Sequence, residues 1–153
     1  MPKPAHDLQL HRPNVLVADM ERALSVYRDI LGFKVNFLLD ALDVAPEMFG
    51  LPKDTPMRMA FISEGKGVFG SLALSEVQGV ALQPAQAPYP FCIIIEVKEG
   101  LLAGMLDQIR ALGLPVGEAY ELGQPDRTDV TFTDHDGHRV TLFELHPKKK
   151  QRK

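Results

Sequence analysis

The sequence is expected to fold as an α+β domain of two βαβββ modules, joined into a curved mixed sheet that encloses a cleft, with the helices outside. Three observations predict this. The order of strand-like and helix-like segments in residues 10–77 recurs in residues 91–147, and such a repeat marks a duplicated supersecondary unit. The two helices stop on similar text, "ILGFKV" in the first half and "ALGLPV" in the second. Between the halves lies "QGVALQPAQAPYP", residues 78–90, a stretch of proline and alanine with few large apolar side chains, which reads as a linker. A unit with one helix on one sheet face leaves its other face bare, and two such units can join their sheets around a cleft between the bare faces.

The elements follow in order. "NVLVAD" is a short β-branched strand, and Asp19 at its end stands where a helix N-cap belongs. Met20, Ala23, Leu24, Tyr27 and Leu31 then recur at helical spacing until Gly32 stops the helix. "FKVNFLL" reads as the second strand, and "DALDVAPEMFGLPKDTP" as turns with one helical turn. "MRMAFIS" and "GSLALSEV" are strands joined by "EGKG", a hairpin-like connection. In the second half "FCIIIEV" is a strand. A helix carrying Leu102, Met105, Leu106, Ile109 and Leu112 follows and ends at Gly113. "LPVGEAYEL" and "TDVTFTD" read as strands, "DHDG" as a turn and "HRVTLFELH" as the last strand.

At 153 residues the chain suits one domain built of two small modules, with 45% hydrophobic and 24% charged residues. A net charge of −3 argues against nucleic acid as a partner. The one basic run, residues 148–153, reads as a solvated tail. No apolar run is long enough to cross a membrane, and the N-terminus lacks the apolar core of a signal peptide. The single cysteine, Cys92, cannot form an internal disulfide, which suits a reducing cytoplasm.

The chemistry-bearing stretch is "DHDGHRVTLFELHP", with three histidines, two aspartates and a glutamate in fourteen residues. Turn chemistry accounts for its first part: aspartate bonds its own backbone and Gly137 takes positive φ. Along the strand side chains alternate, so Arg139, Thr141 and Phe143 share one face while His138, Val140, Leu142, Glu144 and His146 share the other. The second face is therefore read as a solvated strand end or a contact with a partner subunit rather than as a metal site.

Paired βαβββ modules, "VADMERALSVYRDILGF" and "TDHDGHRVTLFEL" resemble the vicinal oxygen chelate superfamily, which includes glyoxalase I, bleomycin-resistance proteins and extradiol dioxygenases. The resemblance covers about residues 10–147. It implies a ligand-binding cleft, a homodimer, and a metal held by inward positions on four strands. The first of those positions lies seven residues before the aspartate that opens the first helix and falls on Arg12. The corresponding place on "FCIIIEV" falls on Cys92, the one on "GSLALSEV" near Ala73, and the one four residues after Gly137 on Thr141. Arginine repels a cation, and alanine and threonine hardly ligate one, so the family's usual metal site is read as absent. No cofactor is expected, although a divalent metal stays conceivable. His11, one residue off, points away from the cleft in a regular strand and turns inward only if a bulge forms near Pro13.

By the same register the cleft is lined by Arg12, Asn14 and Leu16; by Ser71, Ala73 and Ser75; by Cys92, Ile94 and Glu96; and by Arg139, Thr141 and Phe143. This is a mixed apolar and polar wall of the kind that binds small molecules. Arg12 offers bidentate recognition of a carboxylate or phosphate. Glu96 is a general-base candidate if desolvation raises its pKa, and otherwise pairs with Arg12 or meets solvent. The expected ligand-binding residues are therefore Arg12, Asn14, Ser71, Cys92, Arg139, Thr141 and Phe143, with Glu96 the catalytic candidate. The expected function is a small-molecule binder with a degenerate metal site that sequesters a drug or metabolite. The alternative is a lyase, isomerase or dioxygenase with a non-standard metal set or metal-free acid–base chemistry.

Overall fold

The computed structural model describes residues 10–40, 46–65, 67–123 and 126–147; the basic tail, residues 41–45 and Lys66 of the "EGKG" turn lie outside these. The described residues form eight strands and two α-helices. They are β1 (Asn14–Val17), α1 (Met20–Tyr27), β2 (Lys34–Asp40), β3 (Met57–Ser63), β4 (Leu72–Val77), β5 (Cys92–Val97), α2 (Leu102–Ala111), β6 (Tyr120–Gly123), β7 (Asp126–Thr133) and β8 (Arg139–Leu145). A 3₁₀ turn at Pro46–Phe49 supplies the single helical turn expected between β2 and β3.

The strands form two four-stranded mixed sheets, ordered β1-β4-β3-β2 and β5-β8-β7-β6. The order is the same twice over: the first strand of each half pairs parallel with the last, and the remaining pairs are antiparallel. The α+β class and the doubled βαβββ order read from the sequence are therefore present. In the first sheet the register Val15↔Leu74 and Ala60↔Leu74 puts Val15, Ala60, Ile62 and Leu74 on one face, all buried. Full burial of the valine, isoleucine and leucine side chains contributes about 1.5–3 kcal/mol each. In the second sheet Val130, Phe132, Val140 and Leu142 form the corresponding buried face, and α2 packs on it through Leu102, Leu106 and Ile109.

The repeat extends to how the helices begin. The first backbone N–H groups of a helix have no partner within it. The Glu76 carboxylate, at the end of β4, accepts the Met20 N–H at 2.6 Å. The Glu144 carboxylate, at the corresponding point of β8, accepts the Leu102 N–H at 3.0 Å. Each glutamate is the parallel partner of the last residue of the preceding strand, Val17 or Val97. A carboxylate at a helix N-terminus also meets the positive end of the helix dipole. The glutamate of "LFELH" thus has a structural task on the helix-bearing face.

Two expectations need correction. The first helix was expected to run regularly to Leu31, but its regular part ends at Tyr27. From Arg28 onward it continues as a widened turn in which Asp29 and Leu31 donate to carbonyls five residues back, at 3.1 and 3.0 Å. "LPVGEAYEL" is not one strand: Val116 makes an isolated bridge to Phe132 and only Tyr120–Gly123 joins the sheet. The chain divides into one unit of residues 1–20 and 33–79 and another of 21–32 and 80–153. The helical segment 21–32 goes with the second unit, and its polar side chains bond there. The Tyr27 hydroxyl donates to Asp134 at 2.8 Å, and Arg22 pairs with Asp136 at 3.2 Å.

The 78–90 segment is not a loose tether throughout. A Cβ placed on Gly137 would lie 2.6 Å from the Ala85 backbone nitrogen and 3.1 Å from Pro84 Cβ. Gly137 also has φ of +85°, where a side chain is strained. Gly137→Ala is expected to cost about 2 kcal/mol from backbone strain and displacement of the Pro84–Ala85 segment. Urea denaturation measures it, and a midpoint equal to that of the unmodified protein would show that the segment yields freely.

Candidate functional site

In the first unit, the face opposite the buried one carries Asn14, Ala73, Phe61 and Phe37, aligned across four strands by the pairs Asn14↔Ala73, Phe61↔Ala73 and Phe37↔Phe61. Leu16, Ser75 and Met59 follow on the same face. Arg12, just before β1, lays its guanidinium over the Phe61 ring, 4.1 Å from the centroid, with Phe69 at 6.0 Å. Phe61 and Phe69 meet edge to face at 5.8 Å. Stacking on aromatic faces suits a weakly hydrated guanidinium.

Two further contacts hold Arg12. Its Nη2 donates to His11 Nδ1 at 3.1 Å, since arginine has only donors. Its Nη1 rests on Gly70, so closely that a Cβ there would lie 2.9 Å from it. Gly70 has φ of +59°, and its N–H is held by Asn36 Oδ1 at 2.9 Å. Glycine is needed here for close approach as well as for conformation. Arg12 Nη1 is buried and has no hydrogen-bond partner among the described residues.

Asn14 accepts from the Ser75 hydroxyl at 2.8 Å. Ser71 lies just outside β4 and its hydroxyl donates to Glu64 in the β3–β4 turn. That bond, followed by a backbone N–H, holds the Glu64 carboxyl below its ordinary value.

In the second unit the register Cys92↔Arg139, Ile94↔Thr141 and Glu96↔Phe143 puts those six residues on one face, opposite the face bearing α2. They share it with Arg127, Asp129, Thr131 and Thr133 of β7. Thr141 Oγ1 lies 2.7 Å from Thr131 Oγ1 and 3.4 Å from Cys92 Sγ. Arg139 stacks on Tyr89 at 4.9 Å. The Phe143 ring is covered on one side by Arg127 at 4.6 Å, and Arg127 forks onto the buried Asp129 at 2.8 and 3.2 Å. Glu96 and Cys92 are exposed, and Ile94 keeps 66% of its surface in solvent.

Parity counting placed Asn14, Leu16, Ala73 and Ser75 on one face of the first sheet, and Cys92, Ile94, Glu96, Arg139, Thr141 and Phe143 on one face of the second, as the register has it. It missed Phe61, Phe69 and Gly70 around Arg12, and Tyr89, Arg127 and Asp129 near Arg139 and Phe143. Phe61 and Arg127 had a usable signal, because β3 and β7 are antiparallel partners of strands already assigned. Phe69, Gly70 and Tyr89 lie in loops, where alternation says nothing.

The donor set at the four positions that the resemblance equates with metal ligands does not suit a cation. Arg12 brings a permanent positive charge. Ala73 is a buried methyl group, and the Thr141 hydroxyl is engaged by Thr131. Cys92 alone retains a metal-binding atom.

The profile of the Glyoxalase/Bleomycin resistance protein/Dioxygenase superfamily matches residues 9–142. No curated protein matches the sequence. Among solved structures, a glyoxalase family protein from Bacillus cereus aligns with a TM-score of 0.74 at 15% identity, over 95% of this chain and 100% of that one. Glyoxalase I of Leishmania major, described as trypanothione-dependent, aligns with a TM-score of 0.63 at 19% identity, over 90% and 87%. The fosfomycin resistance protein FosX of Listeria monocytogenes, complexed with Mn(II) and sulfate ion, aligns with a TM-score of 0.61 at 15% identity, over 92% and 93%. At such identities these likenesses concern the fold. No helix among the described residues is long and apolar enough to cross a membrane. With the family profile spanning residues 9–142 and the doubled βαβββ order, this chain belongs to the glyoxalase/bleomycin resistance protein/dioxygenase superfamily.

Proposed function

We propose that the protein binds a small molecule with an anionic or strongly polar oxygen and an apolar body, without a metal at the superfamily's usual position, and so sequesters a drug or metabolite. The observation that carries this reading is the Arg12 guanidinium, laid over Phe61 beside Phe69, with a buried Nη1 that has no hydrogen-bond partner among the described residues. A buried donor without an acceptor is costly, and a ligand oxygen would relieve that cost. The exposed rings of Phe37 and Phe69 offer an apolar surface beside it. FosX, of the same fold, holds Mn(II) together with a sulfate anion; in this chain the arginine would supply positive charge in place of the metal.

The alternative is a lyase, isomerase or dioxygenase using Glu96 as base. Glu96 is exposed, so that reading requires a ligand or a second chain to cover it. We also propose a homodimer in a reducing cytoplasm. Phe37, Phe69 and Ile94 leave sheet faces and a loop with apolar surface in solvent, which a second copy would cover. A purely monomeric mass by light scattering at micromolar concentration would contradict the dimer.

A thermal-shift screen of organic carboxylates, phosphonates and sulfates tests the ligand class, because a ligand that binds the native state raises its stability. Aromatic or aliphatic anions should raise Tm, and their neutral analogues should not. Elemental analysis of protein purified without chelator tests the second half. We expect no divalent ion dependent on His11; about one metal per chain, lost in His11→Ala, would contradict the metal-free reading.

A further inference from the structure

We propose that Glu121, Asp126 and His146 form a binding site for a divalent transition-metal ion of the Zn(II), Co(II) and Ni(II) class, on the helix-bearing face of the second sheet. The three come from separate stretches of chain. Glu121 lies on β6 opposite Thr128, Asp126 opens β7, and His146 follows β8. The pair Thr128↔Glu144 and the bond from the His146 N–H to the Asp126 carbonyl at 2.9 Å bring the ends of β7 and β8 into line. Alternation then sets Glu121, Asp126, Thr128 and His146 on one face. One donor atom from each of the glutamate, aspartate and histidine lies within 4.8 Å of the others.

Hydrogen bonds through Thr128 hold two of these side chains in place, and a metal would displace the proton that His146 Nε2 shares with Thr128. His146 Nε2 is 2.7 Å from Thr128 Oγ1 and 3.3 Å from a Glu121 oxygen, and the other Glu121 oxygen accepts from Thr128 at 2.8 Å. One imidazole nitrogen with two carboxylates suits a borderline transition metal better than calcium, which takes oxygen ligands only. Two converging carboxylates bring negative charge that a dication neutralises. Three protein ligands leave coordination positions open. Thr128, which bonds two of the donors, also lines a cavity of about 290 Å³ with Leu102, Ala103, Leu106 and Val130. The metal would therefore stand at the border of an apolar hollow able to take the body of a coordinated small molecule.

This site is separate from the one proposed above. It uses none of Arg12, Ala73, Cys92 and Thr141, and in the second sheet it lies on the opposite face from Cys92, Thr141 and Phe143. The test is a Co(II) titration of the chelator-stripped full chain, followed by calorimetry and by visible absorption. We expect saturation at about one Co(II) per chain, and an affinity reduced about tenfold or more in His146→Ala and in Glu121→Gln, since losing even a ligand's outer partner costs about that much. Arg12→Ala should bind Co(II) as the unmodified protein does, so failure here and failure of the anion-binding reading are distinguishable. Glu121→Gln is a conservative change at an exposed position, which keeps the test valid if His146→Ala folds poorly. Absence of saturable binding, or an affinity in both site variants equal to that of the unmodified protein, would overturn the proposal.

Discussion

Asp134→Ala is expected to lower stability by about 3–4 kcal/mol, the largest effect of any single change considered. Asp134 is buried and accepts three hydrogen bonds. The Tyr27 hydroxyl donates to one oxygen at 2.8 Å, and the Asp136 and His138 backbone N–H groups both donate to the other at 2.9 Å. Removing the carboxylate leaves the fully buried Tyr27 hydroxyl without its acceptor and loosens the "DHDG" turn at once. For a chain this size the loss corresponds to a fall in Tm of about 10 °C. Tyr27→Phe removes the donor and leaves the Asp134 turn bonds in place, so it should cost less, about 1.5–2 kcal/mol, the scale of one hydrogen bond to a charged group. Guanidinium denaturation of the two variants checks the ranking; equal losses would mean that Asp134 acts only within its own turn.

The same pair predicts a pH dependence. Burial first, and the Asp134 carboxylate second, push the Tyr27 hydroxyl well above its ordinary value. The folded state therefore retains a proton that the unfolded chain releases above about pH 10. Stability from this source is complete below that pH and declines as pH rises beyond it. Tyr27→Phe should flatten the alkaline limb of a stability–pH profile, and an unchanged limb would remove Tyr27 from the explanation.

The dense polar stretch near the C-terminus shows where sequence reading succeeds and where it stops. Turn chemistry explained Gly137 and the aspartates, and alternation put Glu144 and His146 on the face away from Thr141 and Phe143, as the register has it. The long-range tasks were not visible. Asp134 receives Tyr27 from 107 positions away, and Glu144 holds the start of a helix 42 positions away. The association of residues 21–32 with the second unit was hidden for the same reason: the apolar face of α1 says that it packs, while the polar partners that decide where lie elsewhere in the chain. Around Arg12, counting along β1 found the residue itself. The aromatic rings and Gly70 that hold it come from β3 and the loop before β4, and only pairing brings these near β1.

Arg12→Ala is expected to weaken ligand binding by about 1.5–3 kcal/mol, the scale of a hydrogen bond to a charged group. The guanidinium has two ring contacts, one bond to His11 and a close fit to Gly70, so it is held in one orientation before any ligand arrives. A preorganised donor loses little entropy on binding. The ligand oxygen also relieves the buried Nη1, so the effect should fall in the upper part of that range. Lysine would not substitute: its ammonium lacks the planar fork and stacks less well on the rings. Titration of phenylphosphonate, an anion with an apolar body, into the unmodified protein, Arg12→Ala and the surface control Arg110→Ala measures this directly. The account predicts saturable binding in the unmodified protein and in Arg110→Ala, and an affinity about tenfold to hundredfold lower in Arg12→Ala. Equal affinities in the two variants, or no binding to the unmodified protein, would contradict it.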